Sequence, residues 1–144
     1  MKKPIVLGLL LATRLALAAL SDQPTDTTGA SVQKTQASTS AGVPYTDISR
    51  TLRNKTQVHE FVDATGTVFA VSWAGPFKPD LKALLGRHFA EFQKGEGERT
   101  GGRTRQRLDA GDMVVVSTGH MGAFEGRAWL PARLPAGFDP EEMK

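Results

Sequence analysis

From residue 43 onward the chain alternates apolar and polar positions in short runs bounded by turn-forming residues, the pattern of β-strands. Residues 45–52 and 57–63 read as two strands joined around Asn54-Lys55, and 67–74 reads as a third. Asp63-Ala64-Thr65-Gly66 is the turn signal between the second and third. Aspartate can bond its own backbone two residues on, and Gly66 can take the left-handed conformation of a bulged hairpin. Pairing Asp63 with Thr67 predicts that Phe61 faces Phe69, His59 faces Val71 and Gln57 faces Trp73, all on the core face. The opposite face, with Val58, Glu60, Val62, Val68, Ala70 and Ser72, is mixed enough to be partly solvated.

Gly75-Pro76-Phe77-Lys78-Pro79 stops that strand, and the period then changes. Leu81, Leu84, Leu85, His88, Phe89 and Phe92 form a helical stripe. Pro79-Asp80 precedes it, bringing a fixed φ and an acid to the positive helix end. This predicts one helix ending near Lys94-Gly95, with Gly86 inside it costing about 1 kcal/mol relative to alanine. Residues 96–102 read as a polar, glycine-rich loop. Residues 103–109 read as an edge strand whose Arg105 and Arg107 discourage edge-to-edge pairing. Residues 113–118 and 123–130 are the last strands, turned by Gly119-His120-Met121-Gly122 and stopped by Pro131 and Pro135. The fold class that follows is α+β: an antiparallel sheet of about five to six strands packed against one helix.

The N-terminal pattern is different. Met1-Lys2-Lys3 precedes an apolar run broken by Arg14, and Ala16-Leu17-Ala18 fits the small-x-small cleavage pattern, so residues 1–18 read as a secretory signal peptide. Arg14 cuts the run into pieces shorter than the roughly 18 residues of a spanning helix, leaving no membrane span after cleavage. With no cysteine after it, a lipid anchor is excluded. Residues 19–42 are rich in Ser, Thr, Gln and Ala and read as a flexible polar segment, or in part a solvated helix over 30–38. The folded domain is then expected over 43–144.

Charge changes the picture only once processing is considered. The chain carries 18 basic and 15 acidic side chains. Lys2, Lys3 and Arg14 depart with residues 1–18, so the remainder is formally neutral. The high overall pI is therefore no nucleic-acid footprint, which would require a net basic surface. The absence of cysteine removes thiol catalysis, zinc–cysteine sites and disulfides together.

Few residues carry candidate chemistry. His59, His88 and His120 lack the close helical spacing that preorganises metal ligands, so no metal and no cofactor is expected. His59 and Glu60 are adjacent on a strand and point to opposite faces. His120 and Glu125 can approach across their hairpin, which makes them the best acid–base pair for a small hydrolase. Serine catalysis has Ser72 and Ser117 available but no nucleophile-elbow motif. For binding, Trp129 is the surface aromatic of choice, with Arg127 on its strand face. Arg105 and Arg107 belong to the basic cluster that also includes Arg99 and Arg103.

Two blocks, "HEFVDATGTVFAVSWAGPFKPDLKALLGRHF" and "GHMGAFEGRAWLPARLPAGFDP", resemble the uncharacterised exported proteobacterial family catalogued as domain of unknown function 2844. The resemblance covers residues 43–140 together with the signal peptide and polar lead. It implies an exported protein, periplasmic or extracellular, and contributes no catalytic residues.

The reading that results is a non-catalytic binding or structural module of the cell envelope, whose partner is an envelope polysaccharide or another envelope protein. The alternative is a small envelope hydrolase using His120 and Glu125. One consequence is directly measurable: cleavage after Ala18 gives a product beginning at Ala19. Intact-mass spectrometry of exported protein should find that chain, and a full-length membrane-retained product would refute it.

Overall fold

The computed structural model describes Leu20, residues 31–97 and residues 105–143. The expected signal peptide, and Arg99 and Arg103 of the basic cluster, lie outside the described residues.

The six strands legible in the sequence are present. They are β2 (Pro44–Thr51), β3 (Gln57–Val62), β4 (Val68–Gly75), β5 (Arg105–Ala110), β6 (Met113–His120) and β7 (Ala123–Trp129). A seventh, β1 (Ser31–Ser38), lies inside the stretch expected to be flexible and pairs with β2 from Ser31↔Thr51 to Ser38↔Pro44. The sheet is antiparallel throughout, in the order β1-β2-β3-β4-β7-β6-β5. Its composition hid β1: the strand buries almost nothing and is held by main-chain pairing with β2 and one side-chain bond, from Gln36 Nε2 to the Thr46 hydroxyl at 3.0 Å. The folded unit also begins earlier than expected, since Leu20 is fully buried and its N–H donates to the Leu84 carbonyl at 2.9 Å.

The β3–β4 hairpin closes as the turn signal requires. Asp63 N–H donates to the Thr67 carbonyl at 3.0 Å, and Gly66 has φ 85°. The Asp63 carboxylate accepts from the Thr65 and Thr67 N–H groups and from the Thr65 hydroxyl. Partial burial alone would raise its pKa, but these bonds, with Arg133 adding attraction, hold it below the usual 3.8. A depressed carboxyl pKa contributes stability that is present above the unfolded value and lost as pH falls through the folded one.

Beyond the turn the register departs from expectation. Val62 pairs with Val68, but Phe61 pairs with Ala70, His59 with Ser72 and Gln57 with Ala74. Phe69 is the extra residue of a β-bulge, and it slides the rest of β3 by one position, which exchanges the faces. Val58 and Glu60 therefore join Val71 and Trp73 under the helix, while His59 and Phe61 lie on the opposite side.

That opposite side is not left solvated. Residues 131–143 fold across it, starting with the 3-10 turn Pro131–Arg133, and bring Leu134, Phe138 and Met143 against Phe61, Phe69, Ala70, Val114, Val116 and Trp129. The first six residues of β4 are buried on both faces as a result.

The helical layer is likewise split. Asp80 caps α1 (Leu81–Leu85) by accepting from the Ala83 N–H. Gly86, at φ 52° and ψ −124°, breaks the helix in a region that favours glycine, and a 3-10 turn leads into α2 (Phe89–Gly97). His88 is buried there, with Nδ1 3.1 Å from Asp112. Among the described residues no helix is long and apolar enough to cross a membrane.

Trp73 supplies a stringent packing test. It pairs with Gly126 of β7, and a Cβ added to Gly126 would fall within the Trp73 indole. Gly126→Ala should therefore lower stability by about 1–3 kcal/mol through overpacking. In a Trp73→Ala background, itself costing about 3–5 kcal/mol, the same alanine should cost far less. Urea unfolding of the four proteins gives the coupling, and strict additivity would refute the contact.

Candidate functional site

The exchange of faces leaves His59 on the side covered by residues 131–143, beside Asp47, which lies twelve residues earlier on β2. In the antiparallel β2–β3 pair Asp47 partners Phe61 and Ser49 partners His59, so Asp47 and His59 are diagonal neighbours on one face. His59 Nδ1 sits 2.9 and 3.0 Å from the two Asp47 carboxylate oxygens. Its ring lies nearly parallel to Phe61, at 17° and 6.2 Å between centroids.

Phe138, from the segment that covers this face, centres an aromatic cluster. Its ring meets Phe69, Tyr45 and Phe61 edge-on at 4.9, 5.3 and 5.6 Å. Such tilted contacts match the ring quadrupoles and hold the segment at a defined height above the sheet. Two hydroxyls pin its far side: Thr39 donates to the Ala136 carbonyl at 2.6 Å and Ser40 to the Gly137 carbonyl at 2.9 Å.

Between these anchors lies a cleft of about 420 Å³. Its apolar wall is Tyr45, Phe61, Phe138 and Met143, and its polar lining includes Ser38, Asp47, His59, Asp139 and Glu142. Asp139 uses one oxygen to cap the Glu141 N–H at 2.8 Å. Three carboxylates and one histidine line the cleft, with no lysine or arginine among the described lining residues, so the field of this lining favours positive charge.

A second cleft, of about 390 Å³, opens on the other side of Met143 and Glu141. Ser72, Val116, Thr118, Glu125 and Arg127 line it. Arg127 is committed structurally: its guanidinium donates to the Glu141 carboxylate and to the Glu141 carbonyl, while its buried Nε finds no partner among the described residues.

The residues singled out from the sequence are distributed as follows. His120 and Glu125 share the β6–β7 hairpin, where His120 pairs with Ala123 and Glu125 with Thr118. Both are exposed, no bond joins them, and His120 Nδ1 instead contacts the Met121 carbonyl at 3.2 Å. Trp129 is only 6% exposed and belongs to the core beneath residues 131–143, so it is no surface platform. Arg107 lies over its ring at 5.7 Å and also reaches Asp109. Arg105 opens β5 opposite Thr118, with its side chain outside the described residues. The three histidines do not converge: His88 is under the helices, His59 on the opposite face and His120 at a hairpin end.

Sequence reasoning missed Asp47, Tyr45 and Phe138 because nothing local joins them. The nearest signal was the apolar spacing of Leu134, Phe138 and Met143 after the last strand.

Burial gives Trp129 a structural role that can be measured. Trp129→Ala should cost about 3–5 kcal/mol of unfolding free energy, whereas His120→Ala at the exposed hairpin end should leave the urea midpoint nearly unchanged. A fully stable Trp129→Ala protein would contradict the burial.

No curated protein and no solved structure matches the chain. The family model described as "Protein of unknown function (DUF2844)" matches residues 16–143, nearly the whole chain and both faces of the sheet described above. The chain belongs to this family.

Proposed function

We propose that the protein is exported and serves as a non-catalytic binding module of the cell envelope, with the Tyr45–Asp47–Phe138 cleft as its site. Its ligand is a cationic group carried by an envelope component: the ammonium of an amino sugar or of a basic side chain. The observation that carries this reading is the lining itself, in which aromatic rings and three carboxylates share one cleft with a single histidine and, among the described residues, no lysine or arginine. Rings offer their negative faces to a cation, and partial desolvation in a cleft strengthens the attraction. The tripartite N-terminal pattern supports export.

Several features favour binding over catalysis. The hydroxyls of Thr39 and Ser40 at the cleft are already spent on carbonyls of the covering segment. His59 is oriented by Asp47 in the manner of a base, yet it also stacks on Phe61 as part of the aromatic wall. The hydrolase built on His120 and Glu125 draws no support from their separated, solvated positions.

Calorimetric titration with a glucosamine oligosaccharide and its N-acetylated counterpart tests the reading. The amine form should bind and the neutral form should not. Added salt should weaken the binding through screening. Tyr45→Ala and Glu142→Gln should each weaken it about fivefold, on the order of 1 kcal/mol. Equal affinity for both sugars would refute the cation reading, and product release that disappears in His59→Ala would overturn the non-catalytic one.

A further inference from the structure

The two edges of the sheet are treated differently. At one edge β5 is backed by α2, whose Gly95 lies directly against Leu108, and it carries the Arg107–Asp109 ion pair. At the other edge β1 runs for eight residues with every side chain exposed except the half-buried Ala37. It contains no proline, and its pairing with β2 runs without a bulge. Among the described residues no strand pairs with its outer side, and a long, regular edge presenting N–H and C=O groups is a template for another strand, one that natural proteins normally blunt.

We infer that β1 is a self-association edge, at which two copies of this chain pair antiparallel about a two-fold axis through Thr35. The register follows from symmetry and charge. Residues directly opposite in an antiparallel pair share a face, so a two-fold axis perpendicular to the sheet must pass through a residue position rather than between two. Axes through Lys34 and Thr35 give the longest overlaps of β1 with itself. The first sets Lys34 against its own copy, a like-charge pair directly opposite, which is destabilising. The second sets Thr35 against Thr35, Lys34 against Gln36, Gln33 against Ala37 and Val32 against Ser38. Threonine pairs and lysine–glutamine pairs are favourable or neutral across strands. Val32, which is 43% exposed in the single chain, gains a neighbour. The pairing joins two seven-stranded sheets into one continuous sheet.

The chain has no cysteine, so single-cysteine variants report the register cleanly. Opposed residues in an antiparallel pair have Cα atoms about 4.5–5.5 Å apart, within the range a disulfide spans. Under mild oxidation Thr35→Cys should form a covalent dimer about tenfold faster than Lys34→Cys or Gln36→Cys, because only its thiols face each other. Sedimentation velocity of the unmodified protein should show a concentration-dependent monomer–dimer equilibrium. Thr35→Lys, a substitution at an exposed position, should abolish that equilibrium while leaving unchanged the circular dichroism and the unfolding midpoint measured at concentrations where the unmodified protein is monomeric. A protein that stays monomeric across the concentration range would overturn the inference. So would fastest cross-linking at Lys34→Cys, which would assign the other axis, or a dimer unaffected by Thr35→Lys, which would place the contact elsewhere.

Discussion

One extra residue in one hairpin settles which way the middle of the sheet faces. Because side chains alternate with a period of two, the bulge at Phe69 moves the whole of β3 beyond Val62 onto the opposite side from the one a regular hairpin would give it. Glu60 is thereby carried under the helices, where Arg50 of β2 meets it at 2.5 Å with both side chains almost wholly buried. Two charges removed from water are tolerable only as a pair, since losing either partner strands the other in a low-dielectric interior. The regular β2–β3 pairing, which the bulge leaves unchanged, keeps His59 on the face of Asp47 and Glu60 on the face of Arg50. The buried ion pair and the His–Asp pair are therefore two outcomes of a single register.

The second organising feature is the covering of both faces. Helices close one side and residues 131–143 the other, so the strands at the centre behave as a fully buried layer. The C-terminal segment needs no regular structure to do this. Prolines at 131, 135 and 140 fix its bends, and Leu134, Phe138 and Met143 supply the apolar contact. It is also the wall between the two clefts, so the same contacts that stabilise the fold shape the binding surface. Arg133 extends that coupling to the β3–β4 turn, where its charge helps to keep Asp63 ionised.

The proposed dimer and the proposed ligand site are separate in origin but compatible in geometry. A two-fold axis perpendicular to the sheet leaves like faces on the same side, so both acidic clefts of a β1-paired dimer open in one direction. Were both proposals to hold, a polymer bearing repeated amino groups would meet two sites at once, and linked sites raise apparent affinity without any new contact.

Much of the framework was legible in the sequence because its signals are local. Alternation marked β2 to β7, Asp63 and Gly66 marked a turn, and Pro79-Asp80 marked a helix start, each using groups a few residues apart. Gly86 was read as a tolerated defect and proved a break, a choice that helix propensity alone does not make. Beyond that reach the sequence was silent. β1 has no apolar face to announce it, because a strand at an open edge is held by backbone groups that every residue carries. Trp129 shared its strand face with Glu125 and Arg127, and only the return of residues 131–143 across the sheet buried it. Asp47 and His59, twelve residues apart, met because the β2–β3 register makes them diagonal neighbours, and the β3–β4 bulge decided which layer covers their face. The starts of β2 to β7, their turns and α1 could be read from the chain itself, since those depend on short-range sterics and hydrogen bonding. The tertiary structure alone decided which faces are buried and which side chains converge, since register and layer order are settled by contacts between segments remote along the chain.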